Sequence, residues 1–214
     1  GWPHAQVERA RSRRSKLGRD ARLAGEGDRR LRQVGPVSGG DEVTRSGGGP
    51  RSWTWTTRAK LETLEEYLSA FTKACAGKSE EIVYIDLFAG GLENFDRDTG
   101  TVLLSSARLA CRASPPFTRL RFVEVRSKAE QLRVLMQREF PGRDIKVFGG
   151  DCNERIDDLL ADLGPVNWAP TFAFVDPDGM EVRWDTIRKL AAHKRQGRTK
   201  VEIWMLFAAP GIMR

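Results

Sequence analysis

The sequence predicts an α/β domain built on a doubly wound, mainly parallel sheet with helices on both faces. Three apolar runs carry that expectation, and each closes on an acid. Ile82-Val83-Tyr84-Ile85 ends at Asp86, Phe122-Val123 ends at Glu124, and Phe172-Ala173-Phe174-Val175 ends at Asp176. Runs this apolar have no solvent face, so they read as buried strands. Segments with helical apolar spacing lie between them, and that alternation is the mark of parallel strands joined by crossover helices.

The elements follow in order. Leu61, Leu64, Leu68 and Phe71 recur at three- and four-residue steps, which predicts a helix from near Thr57 to about Ala76, stopped at Gly77. The first strand covers 82–88. A loop from Gly91 to Gly100 carries Glu93, Asp96 and Asp98 and is expected to be irregular. A helix is expected over 102–112 and a second strand over 119–125. Ser127 is the expected cap of a helix over 128–140, which ends at Pro141-Gly142. A short strand, Ile145 to Phe148, leads into Gly149-Gly150-Asp151-Cys152-Asn153, and a helix over 154–163 ends at Gly164-Pro165. The fourth strand is 171–176, a helix spans 184–195, and a fifth strand covers 200–207. Right-handed crossovers place the strand ends 86, 124, 150 and 176 along one edge.

Composition divides the chain. The net charge is +7, from 36 Lys and Arg against 29 Asp and Glu. Most of that excess sits in residues 1–52, which are rich in Arg, Gly and Ser and poor in core-forming residues. The remainder, 53–214, is close to neutral, so net charge alone does not argue for nucleic-acid binding by the folded part. The first methionine is Met136. Residues 1–52 are expected to be a disordered or non-native basic tail. Residues 53–214 are the expected domain, with an incomplete C-terminus, because doubly wound sheets often continue beyond a fifth strand.

Several classes are excluded. No apolar stretch approaches the roughly 20 residues of a membrane span. Cys75, Cys111 and Cys152 are odd in number and far apart, and His4 and His193 are the two histidines. No zinc-ligand spacing and no disulfide framework follow from them, so no metal is expected. A reducing, cytoplasmic setting is expected instead.

The chemistry gathers at the strand ends. Asp86 is followed by Leu87-Phe88-Ala89-Gly90-Gly91. A turn without side chains at its tip lets a ligand approach the backbone. Glu124, on the next strand, is placed to accept two hydrogen bonds from a ribose diol. Asp151, after Gly150, is either an acceptor for an adenine amino group, with the Cys152 N–H facing the ring, or a cap on the following helix. Asp176-Pro177-Asp178-Gly179 follows the fourth strand, where the proline stiffens the loop and Asp176 faces the cleft. The same four residues also read as a plain turn. Trp184 is expected to pack into the core, with a base-stacking platform as the alternative. Arg183, Arg188, Lys189, Lys194, Arg195 and Arg198 read as a solvated basic face, or as a contact to nucleic acid.

The phosphate-binding pattern G-x-G-x-x-G is absent. The turn is followed by acidic residues, which repel phosphates. That argues against NAD, FAD or ATP and favours S-adenosylmethionine, whose ammonium and sulfonium groups suit carboxylates.

Taken together, these stretches resemble the three-Cys-motif partner (TcmP) family over about 53–214. The supporting segments are Lys60-Leu61 to Tyr67-Leu68, Tyr84 to Gly90, Phe122-Val123-Glu124, Gly150 to Asn153, Phe172 to Gly179, and Trp184 to Ile187. The three cysteines of that name belong to the partner, not to Cys75, Cys111 and Cys152. The family is similar to Rossmann-like S-adenosylmethionine-dependent methyltransferases. The resemblance implies cofactor contacts from Asp86, Gly90, Glu124 and Asp151, a transfer site beside Asp176, and a radical-SAM-like partner protein. Two positions depart from the family pattern: Leu92 stands where a second glycine is usual, and Asp178 where an apolar or aromatic residue is usual. Those departures leave a second reading open, a non-catalytic partner that docks a protein or a nucleic acid. The third reading, a nucleic-acid-binding domain with an Arg-rich arm, depends on the tail.

Overall fold

A computed structural model of the chain describes residues 52–53, 55–91, 93–96, 102–194 and 200–207. Five parallel strands form its main sheet: β2 (Val83–Asp86), β5 (Arg119–Glu124), β6 (Asp144–Gly149), β7 (Thr171–Val175) and β8 (Glu202–Met205). Their spatial order is β6-β5-β2-β7-β8. The chain moves outward from β2 to β6, returns across the sheet, and moves outward again through β7 to β8. This is the doubly wound, Rossmann-like order, in which the direction of winding reverses beside the first strand.

The burial of each strand follows from its neighbours. Every residue of β2 and β7 is buried, and β5 is buried at all four inner positions. The edge strands β6 and β8 are only partly covered. Alternate side chains feed two cores. On one face Tyr84, Leu120, Phe122, Phe172 and Phe174 meet helices α1 (Trp55–Cys75), α2 (Ser106–Arg112) and α3 (Arg126–Glu139). On the other, Val83, Ile85, Val123, Ala173 and Val175 meet α4 (Cys152–Asp162) and α5 (Trp184–Ala192).

The expected stripe on α1 is the buried one: Leu61, Leu64 and Leu68 are in the core, with Phe71 packed beside them. The stacked rings of Tyr84 and Phe172, 6.0 Å apart, lie within reach of Phe71 and Trp204. None of the described helices is long and apolar enough to cross a membrane.

Some elements differ from expectation. The segment read as an irregular loop contains strand β3 (Glu93–Asp96), which pairs antiparallel with β4 (Val102–Leu104) and parallel with β1 (Ser52–Trp53). Strands of two to four residues are too short to show the alternation that reveals a strand. Consequently α2 begins only at Ser106, with Ser105 as its cap. Ser127 is not the cap of α3, which starts at Arg126 after Val125. The Glu124 carboxylate takes the Val125 N–H at 3.0 Å, so the chain turns into the helix directly after the strand. Trp184 is 78% exposed, against the expectation of core packing. It opens α5 at the sheet edge, while Thr186, Ile187 and Leu190 form the buried face. The expectations for residues 1–51, Leu92, Asp98, Arg195, Arg198 and the last seven residues lie outside the described residues.

Candidate cofactor site at the carboxyl edge

Parallel pairing brings the strand ends together. Asp86 stands opposite Phe122 on β5 and Phe174 on β7, so Glu124 and Asp176 lie two residues further out on either side. The Asp86 side chain is fully buried. Its Oδ2 accepts from Ser106 Oγ at 2.7 Å and from the Tyr84 hydroxyl at 3.3 Å, and its Oδ1 accepts from the Phe88 N–H at 3.0 Å. Burial pushes its carboxyl up to about 7, against the pull of those hydrogen bonds, and the charge of nearby Asp176 adds to the rise. The expected ligand contact is therefore an internal brace, which ties β2, the glycine turn and the start of α2 together. Ser106 had no signal in the sequence, because a serine at the first position of a helix is ordinary.

The turn itself is open. Ala89 is buried, and its N–H is held by the Val123 carbonyl at 3.1 Å. Phe88 packs beside the second core. Gly90 has φ +66 and Gly91 is exposed. A side chain at position 90 would be strained by roughly 1–2 kcal/mol in that left-handed conformation.

Glu124 is half-buried, and among the described contacts only its Oε1 is engaged, by the Val125 N–H. Its carbonyl accepts the Gly150 N–H at 2.9 Å, which sets the β6 turn beside it. Gly150 has φ +144, and a Cβ there would also meet the Arg155 side chain at 3.2 Å. Of the two roles open to Asp151, the structure shows the cap: its carboxylate accepts from the Asn153 N–H at 2.8 Å and from Asn153 Nδ2 at 2.7 Å. Cys152 turns its side chain into the second core, where burial pushes the thiol up to about 12. Asn153, in sequence as good a cap as Asp151, is instead a clamp. Its Nδ2 donates to the Glu181 carbonyl, and its Oδ1 accepts from the Arg183 N–H and from Thr186 Oγ, at 2.9, 2.8 and 2.7 Å. It fastens the start of α4 to the loop that follows β7.

Asp176 is half-buried and ion-paired with Lys60 of α1, across 116 residues of sequence. Pro177 is buried and Asp178 exposed. Lys60 is the second contributor that sequence reasoning missed, since its helix precedes the sheet.

The edge thus presents Glu124, Asp151, Asp176 and two glycine-bearing turns, with Asp86 beneath. Among the described residues no cluster of His, Cys, Asp and Glu side chains is arranged to hold a metal ion. The donor set suits a ligand that is cationic and rich in hydroxyl or amino donors. The open turn and the half-exposed Glu124 carboxylate lie at that edge, and Asp86 is buried beneath it. An open apolar groove of about 580 Å³ runs along α5, lined by Trp184, Ile187, Arg188, Ala191, Lys200 and Val201 among others, and shares none of these residues. The carboxylates, not the groove's size, mark the chemistry.

The class that emerges is a doubly wound α/β domain with an acid-rich carboxyl edge. Compared with family models, curated proteins and solved structures, the chain matches none.

Proposed function

We propose that this protein is a methyltransferase-like enzyme that binds S-adenosylmethionine, of the kind the three-Cys-motif partner resemblance implies. The observation that carries the reading is Glu124: a half-exposed carboxylate at the end of β5, next to the glycine turn that ends β2. A carboxylate so placed accepts from a ribose diol in doubly wound nucleotide sites. Gly90 and Gly91 would line the cofactor with backbone alone, and Gly150, Asp151 and the Cys152 N–H would border its base. Bound there, the cofactor supplies a methyl group activated on a sulfonium. Asp176, stiffened by Pro177, would orient the acceptor and hold its departing proton.

Isothermal titration with S-adenosylmethionine tests this. The expected result is binding by the wild-type chain and about tenfold weaker binding by Glu124→Gln, which keeps the shape and loses the charge. No binding by the wild type would sink the reading. The three free thiols fit a reducing, cytoplasmic setting.

A second reading is a non-catalytic partner that docks a radical-SAM-like protein. The exposed Trp184 and the apolar groove along α5 favour it. Co-purification with that partner, with no cofactor bound, would select it. Docking of nucleic acid has less support. Arg188 is paired with Asp185 and Lys189 with Asp157 and Asp185, so acids offset the basic face of α5.

A further inference from the structure

Asp176 is the carboxylate the proposed reaction would use, yet it is not a lone charge. Lys60 reaches it from α1, and both side chains are about one-fifth to one-quarter exposed. The pair stands beside the buried Asp86, close enough that the Asp176 charge acts on it. Other ion pairs among the described residues also join separate elements, as in Arg108–Glu139 and Lys189–Asp157. This one joins a helix outside the crossover units to the loop that leaves β7.

We infer that Lys60 is a positioning residue that sets the charge at the transfer end of the site, by neutralising and orienting Asp176. The inference rests on the cofactor reading above. A bare Asp176 carboxylate would hold a sulfonium cation tightly and favour the charged methyl donor over its neutral demethylated product. Lys60 offsets that bias, so donor and product bind with similar strength and the carboxylate points toward the acceptor. At an effective dielectric near 20, a unit charge a few ångströms away changes such a preference by about tenfold or more.

The test compares two ligands by titration: S-adenosylmethionine, which carries the sulfonium, and S-adenosylhomocysteine, the neutral thioether. Their affinity ratio is the readout, because a general loss of packing weakens both alike. Lys60→Met unmasks Asp176 and is expected to shift the ratio about tenfold toward S-adenosylmethionine. Asp176→Asn removes the carboxylate and should shift it the other way. The double variant, with both charges gone, should return to the wild-type ratio, and Lys60→Arg should stay there. Lys60→Gln, with far-ultraviolet circular dichroism as the control, repeats the first arm should the methionine variant fold poorly. A ratio that does not move, or that moves the same way in both single variants, overturns the inference while leaving the cofactor reading intact. Failure of the wild type to bind either ligand removes the cofactor reading itself.

Discussion

The two edges of the main sheet are both charged, and they are charged differently. At the amino edge, Arg119, Arg121 and Lys146 meet Glu81, Asp144 and Asp162 in one network, three cations against three acids. Arg121 is 1% exposed, and it reaches Asp162 through Nε and Asp144 through Nη1 at 2.9 Å. The Arg119 hydrogen bond holds the Glu81 carboxyl below its usual range. Burial works against Asp162, but hydrogen bonds from Lys146 and Arg121 hold it low as well. At the carboxyl edge, Asp86, Glu124, Asp151 and Asp176 share one paired cation, Lys60, among the described contacts. A balanced network stabilises the fold and asks for nothing further. Four acids that share one cation among the described contacts would accommodate a cationic ligand.

Breaking the balanced edge should have the largest effect. Arg121→Ala leaves Asp162 and Asp144 without their buried partner and should lower the unfolding free energy by about 3–5 kcal/mol. Urea denaturation measures this, and ligand affinity of the folded fraction should stay as it was.

The next effect belongs to the acid edge and depends on pH. Folding raises the Asp86 carboxyl to about 7, from about 3.9 in an unfolded chain. Between those values the folded state holds more protons than the unfolded state, so this group's contribution to stability falls as pH rises from about 4 to about 7, then levels off. Lys60, Asp176 and Tyr84 are the neighbouring charged and titratable groups, and they temper the slope. Asp86→Asn carries no titration and should flatten that part of the profile in melts run from pH 4 to pH 8. An unchanged slope would mean that water reaches Asp86.

A smaller effect separates structure from chemistry at Asp151. Alanine there removes the cap of α4 and should cost about 1 kcal/mol, while asparagine, an equally good cap, should restore the stability. If Asp151→Asn still weakens S-adenosylmethionine binding, the residue serves the ligand as well as the helix. The smallest effect is expected on the solvent side of α3. Glu130 is exposed and pairs with Arg133, whose guanidinium also donates to the Val147 carbonyl, so Glu130→Ala should change stability by no more than about 0.5 kcal/mol.

The comparison also shows which residues were legible. Asp86, Glu124 and Asp176 stand out because each ends an apolar run, and a run of that kind is visible within five or six residues. Whether the carboxylate then points outward or inward is not visible. Asp86 is enclosed because Ser106, Tyr84 and the turn close over it, and Ser106 lies twenty residues away. Asp151 and Asn153 are equally good caps in sequence, and the structure gives the cap to Asp151 while Asn153 is held by Glu181 and Arg183 in the loop before α5. The basic residues of α5 read as one patch until Asp157, on the neighbouring α4, is seen to take Lys189.

The sequence by itself determined the class of fold. Period and composition are local properties, and strands alternating with helices leave few ways to bury both faces of a sheet. It also determined the line of acids along one edge, since parallel strands all end on the same side. Only the tertiary structure decided what each acid does. Burial of Asp86, pairing of Asp176 with Lys60, and exposure of Glu124 depend on residues brought together from distant parts of the chain. A carboxylate takes its charge state and its reach from those neighbours, and no local pattern records them.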